Sequence, residues 1–178
     1  MYKKLTNAWE LRKLGSFLKE IIVKSKIENE HPILSSTNSG IEFREGRVSG
    51  KTNVGYKVIN VGNLVLSPQN LWLGNININH MSIGLVSPSY KIFNIININS
   101  DFIEPQLRMA KMLEEYKNAS TQGASVVRRN LELSLFYQIP MYVPSNDEQQ
   151  KIGSFFKHLD SLITLHQRRR KISNNRID

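Results

Sequence analysis

The sequence contains no cysteine, which excludes a disulfide scaffold, a thiolate metal site and thiol redox chemistry. It is also short of acid, with 15 Asp and Glu against 24 Lys and Arg and a net charge of +9. A positive excess of that size favours an anionic partner such as nucleic acid or an acidic membrane surface. Residues 1–13 lack the apolar run of a secretory signal, so a cytoplasmic location is expected. From 58 to 90 there is no Asp, Glu, Lys or Arg at all. A charge-free stretch of that length must be tested as a membrane span. It fails, because Asn, Gly, Ser, Pro and His80 interrupt it every few residues, and each is costly in hydrocarbon.

Signatures of catalysis are missing as well. Gly46-Arg47-Val48-Ser49-Gly50-Lys51-Thr52 invites comparison with a phosphate-binding loop, but it has one residue too few between its glycines and no apolar strand leading into it. His31, His80, His158 and His166 are scattered without ligand spacing. Ser87-Pro88-Ser89-Tyr90 lacks the Asn or Asp and the second proline of an adenine methyltransferase motif, so methyl transfer belongs to a partner. Neither a metal nor a cofactor is expected. Asp101 with Glu115 leaves open a small Mg-dependent endonuclease as a rival reading.

What is present suits one domain with an appendage, since 178 residues suffice for a single hydrophobic core. Residues 6–18 place Trp9, Leu11, Leu14, Phe17 and Leu18 near helical spacing, broken by Gly15, and predict a short leading element. Gly40-Ile41-Glu42-Phe43-Arg44 alternates like a half-buried strand, and 45–55 reads as loop. From 56 to 93, β-branched and aromatic residues punctuated by Gly, Asn and Pro predict the β core. Within it Asn75-Ile76-Asn77-Ile78-Asn79 has period two, and 84–93 reads as strand, proline turn, strand. Residues 102–119 predict a helix with Pro105 in its first turn. Leu131, Leu133 and Leu135 alternate with polar residues, leading to a proline-bounded segment at 139–144. Ser145-Asn146-Asp147-Glu148 then has the spacing of a capping box. Behind it Ile152, Phe155, Phe156, Leu159, Leu162, Ile163 and His166 recur at three- and four-residue steps, a stripe suited to packing on another helix.

Trp9-Glu10-Leu11-Arg12-Lys13-Leu14-Gly15, then the 84–93 segment, then Ile139-Pro140 with Pro144 and Glu148-Gln149-Gln150-Lys151-Ile152-Gly153, and finally Leu159-Asp160-Ser161-Leu162-Ile163, resemble in order the landmarks of type I restriction-modification specificity subunits. The resemblance implies an α+β target recognition domain with a twisted β core and flanking helices over 1–144, then a long helical arm over 145–178 that pairs with another helix. It implies that the domain reads half of a split site on double-stranded DNA. Methyltransferase subunits would dock on the helical region and a motor-nuclease subunit would join for cleavage. The family usually carries two such units; this chain holds one, so a homodimer through the arm, or a second recognition unit, is expected. Such a subunit is not itself an enzyme.

Reading bases needs hydrogen-bonding side chains at base edges and cations on phosphates. Two loops offer both. One holds Ser36, Asn38, Arg44, Arg47, Lys51, Tyr56 and Lys57; the other holds Gln122, Ser125, Arg128 and Arg129. A protein-interaction module whose charge is incidental is the remaining alternative.

Overall fold

The computed structural model describes residues 9–44, 52–123, 125 and 128–174. The elements within them are, in chain order, β1 (Glu10–Lys13), β2 (Leu18–Glu20), β3 (Leu34–Ser36), β4 (Ile41–Phe43), β5 (Lys57–Ile59), β6 (Leu64–Leu66), β7 (Ile76–Ile78), β8 (Gly84–Val86), β9 (Lys91–Ile95), α1 (Ser100–Gln106), α2 (Ala110–Asn118), β10 (Ser120–Gln122), β11 (Arg129–Leu131), α3 (Leu133–Gln138), β12 (Pro140–Val143) and α4 (Asn146–Asn174).

The central sheet runs β2-β9-β6-β7 with every pairing antiparallel. Its strands alternate, and both faces are covered. Leu64, Leu66, Ile76, Ile78 and Phe93 pack against Phe102, Ile103, Met112, Tyr116 and Phe136 of the helices. Val65 and Ile92 point the other way, into Leu34, Ile59 and Val86 of the outer strand pairs β3–β4 and β5–β8. This explains the charge-free stretch, because every residue that it contributes to β5, β6, β7 and β8 is buried and an unpaired charge is costly there. The fold is α+β, as expected.

The period-two strand β7 adds a second layer of specification. Asn75, Asn77 and Asn79, which alternate with its isoleucines, are each at most 7% exposed. Buried amides must be paired, and these are. The Ser36 hydroxyl donates to Asn75 Oδ1 at 2.8 Å and accepts from Asn77 Nδ2 at 2.7 Å. Asn79 Nδ2 donates to the carbonyls of Asn60 and Ser82 at 3.1 and 2.8 Å. The ladder therefore stitches the hairpin β3–β4 to the central sheet.

Three expected elements differ. The described part of 6–18 is strand, a 3-10 turn over Leu14–Phe17, and strand. The chain must turn there because Gly15 lies against Tyr137, whose Cβ would be 2.7 Å from any Cβ at position 15. The single helix expected over 102–119 is two, parted at Met109, whose backbone is extended (φ −62°, ψ 144°). Pro105 is inside α1 rather than in its first turn. The helix starts earlier, at Asn99, whose side chain accepts from the Phe102 N–H at 3.0 Å. The Leu131–Leu135 alternation ends with β11; Leu133 opens α3 because the short helix puts Phe136 into the core with Leu133 and Tyr137 against it.

Both ends of this body meet. Strand β1 pairs antiparallel with β12, Glu10 opposite Val143 and Lys13 opposite Pro140. Helix α4 follows at once, starting where the capping spacing puts it. The Ser145 hydroxyl accepts from the Glu148 N–H at 3.4 Å, while the Glu148 carboxylate accepts from the Trp9 indole at 3.2 Å.

Candidate nucleic-acid interface

Two hairpins and one helix face carry most of the described residues singled out by the sequence, while Tyr56 and Lys57 lie at the start of β5. In the first hairpin the Thr37 N–H donates to the Gly40 carbonyl at 2.8 Å, and Gly40 takes a φ of +144° that favours glycine. That tight closure leaves Asn38 and Ser39 exposed at the tip, with Arg44 half-buried just past β4. Arg47 and Lys51 lie outside the described residues.

Three residues expected in this loop have internal duties instead. Ser36 is 2% exposed and spends its hydroxyl on the asparagine ladder. Tyr56 is buried with Val58 and Leu85. Lys57 is buried, and its Nζ donates to the Tyr90 carbonyl at 2.6 Å. Burial, then the neighbouring Lys91 charge, holds the Lys57 ammonium below the ordinary lysine range, with Glu20 opposing. Glu20 is ion-paired with Lys91 at 2.7 Å.

The second hairpin, β10–β11, pairs Gln122 with Arg129 and closes through the Gly123 N–H, which donates to the Arg128 carbonyl at 2.8 Å. A Cβ at Gly123 would lie 2.7 Å from that same oxygen, so the closure requires glycine. Gln122, Ser125 and Arg128 are exposed. Arg129 is not free like them. Its Nε donates to the Ser120 hydroxyl and its Nη2 to the Ser120 carbonyl, both at 2.8 Å, which cross-links the two strands, and Nη2 also donates to the Lys117 carbonyl at 3.3 Å, which ties the hairpin to the end of α2.

Both hairpins are moored to the connection between β6 and β7. The first is held there through Asn75, and the second through the Arg129 N–H, which donates to the Gln69 carbonyl at 3.1 Å. The solvent-facing set is thus Asn38, Gln122, Ser125 and Arg128, with Arg44 partly so: amides, a hydroxyl and guanidinium groups, the inventory that contacts base edges and phosphates. Sequence reading missed Phe43 and Met81. Phe43 is 56% exposed although strand alternation points it inward, and with Met81 and Arg44 it lines an open groove of about 700 Å³.

On α4, Ile152 packs on the domain's own core, so it is not available to another helix. Leu159 is half-buried. Phe155, Phe156, Leu162 and Ile163 are 37% to 60% exposed, and His166 is exposed. Leu165, also missed, is 54% exposed.

The two carboxylates of the rival nuclease reading sit on different helices, and Asp101 is engaged by Lys157 Nζ at 3.4 Å. Among the described residues no group of three or more His, Asp or Glu side chains is gathered so as to hold a metal ion, and no helix is long and apolar enough to cross a membrane.

Residues 7–173 match the family described as the type I restriction modification DNA specificity domain. Solved structures with a similar fold include the HsdS subunit from Thermoanaerobacter tengcongensis (14% identity, TM-score 0.60) and the S subunit of the type I restriction-modification system from M. genitalium (15%, 0.56). A third comes from a structural study of complex assembly and conformational transition in the type I R-M system (13%, 0.58). Each likeness covers 96% of this chain and 46%, 45% and 43% of those chains respectively, so this chain spans less than half the length of each. At such identities the likeness is one of fold. No curated protein sequence matches.

Proposed function

The chain belongs to the family of type I restriction-modification DNA specificity domains, and from that premise we infer that it reads one half of a split target on double-stranded DNA and directs catalytic subunits to it. The family match over nearly the whole chain carries this reading. The two moored hairpins give it a physical means, because their exposed amides and guanidinium groups have the chemistry of base and phosphate contact. The globular body over 1–144 is the recognition domain, and the helix from Ser145 is an arm. Cutting and methylation fall to partners, a motor-nuclease subunit and methyltransferase subunits, acting in the cytoplasm. The exposed stripe of α4 pairs with the same stripe of a second copy, which supplies a second reading domain by C2 symmetry.

Sequencing the methylated bases of a host that carries this chain with its methyltransferase partner tests the proposal. A bipartite motif that appears with the chain and vanishes on its deletion is expected. Methylation unaffected by the deletion overturns the reading.

A further inference from the structure

The base of α4 is held by a side chain that helix formation does not require. Gln149 is 2% exposed. Its Oε1 accepts from the Asn99 backbone N–H at 2.9 Å, and its Nε2 donates to the Pro144 carbonyl at 3.0 Å. One amide therefore joins the cap of α1, the chain leaving β12, and the arm. Asn99 is itself committed, since its side chain caps α1. One turn further along, the backbone at Gly153 presses on the same place. A Cβ there would stand 2.9 Å from Asp101 Cβ and 3.0 Å from Asn99 Oδ1. Glycine inside a helix is less favourable than alanine, a cost tolerated where two backbones must approach closely.

Apolar contact alone does not set a direction. The half-buried Ile152 would pack nearly as well with the helix rotated or tilted, because the hydrophobic effect is non-directional. Two hydrogen bonds from one amide, with a close backbone contact a turn away, permit far less freedom. Past Gly153, every side chain described on α4 is exposed except the half-buried Leu159, and the exposed Lys157 reaches Asp101 of α1 at 3.4 Å, a surface pair that contributes little. We propose that Gln149 and Gly153 are positioning residues that fix the direction in which the arm leaves the recognition domain, and so the separation between the DNA-reading surfaces of two paired copies. The second half of this statement rests on the split-target reading; the first does not. From Gly153 to Asn174 the arm runs for about 32 Å at about 1.5 Å per residue, so a tilt of about 10° at the clamp moves its end by about 5 Å, more than the rise of about 3.4 Å between base pairs.

The cysteine-free chain allows a direct measurement. Spin labels at Glu114→Cys on α2 and Gln167→Cys on the arm, diluted with unlabelled chain so that only pairs within one copy contribute, report the direction as a distance distribution. The parent is expected to give one narrow distance. Gln149→Ala should broaden it, and Gly153→Ala should shift its mean by about 3–5 Å although alanine is the better helix former. Far-ultraviolet circular dichroism should show unchanged helix content. If Gln149→Ala does not fold, Gly153→Ala carries the test, and a parent-like distribution from every folded variant overturns the clamp. On duplexes with two half-sites at graded spacing, the variants should prefer a different spacer or lose their preference, while affinity for one half-site stays within about twofold. A shifted distance with an unmoved spacer preference overturns the link to target geometry. A parent that binds no DNA overturns the split-target reading and leaves the distance result standing.

Discussion

Ser36 and Asn38 are close neighbours in one hairpin with opposite fates, one closed into the asparagine ladder and the other at the exposed tip. Ser36→Ala removes the donor from Asn75 Oδ1 inside the protein, and a buried acceptor left unpaired costs about 1–3 kcal/mol. Thermal melting should therefore drop by several degrees while the folded protein keeps its DNA affinity. Arg44→Ala with Arg128→Ala should do the reverse, leaving the melting point nearly unchanged and lowering the salt slope of DNA binding by about one for each phosphate no longer neutralised. Melting curves and salt titrations of the same preparations separate the two; a Ser36 variant with parental stability and weakened binding would restore it to the interface. Local spacing cannot make this distinction. Ser36 is closed off by Asn75, just before β7 and 39 residues away, and Lys57 by the carbonyl of Tyr90, 33 residues away, whereas a polar loop reads as equally polar throughout.

Elements whose signals are local were legible. The capping spacing before α4, and the proline turn between β8 and β9, lie where the sequence places them. Elements settled by distant packing were not. The segment leading to Gly15 has helical spacing but its first part is drawn into a strand by β12, and the leucines after Arg129 alternate like a strand until the core recruits Phe136 into a helix. The stripe on α4 is a local pattern whose meaning depends on a partner. Because Phe155 and Leu162 are exposed, changing both to Asp should leave the monomer's fold intact and abolish self-association, each fully buried side chain being worth about 1.5–3 kcal/mol to the pairing. Sedimentation of the parent and Phe155→Asp/Leu162→Asp checks this. A parent that stays monomeric at every accessible concentration turns the stripe over to a different partner, a separate recognition unit or the methyltransferase.

For the molecule as a whole, a net charge of +9 predicts a strongly salt-dependent DNA affinity. A fall of more than about tenfold between 50 and 200 mM salt is expected from released counterions. A flat response would favour a protein-interaction module whose charge is incidental. Supplied with Mg, ATP and S-adenosylmethionine, the purified chain should neither cut nor methylate DNA, and turnover would overturn the non-catalytic reading. At this scale the sequence was most informative, since landmarks at Trp9, in the 84–93 segment, around Ile139 and Pro144, and at Leu159 identify a family together that none identifies alone. What their order cannot convey is how the hairpins are moored, because that depends on carbonyls and amides contributed by the backbone of distant residues.

The pairing of β1 with β12 has a consequence for how such proteins diversify. The polypeptide comes into the reading body and goes out again through one two-stranded doorway, with both hairpin tips strung between. A segment exchanged between relatives at that seam would bring an entirely new vocabulary of loops, yet would have to match its host where Met141 and Val143 of β12 and Ile152 of α4 enter the core. One condition travels with the graft: a backbone N–H must arrive where Asn99 now presents its own to Gln149, or the new reader will be mounted at the wrong angle.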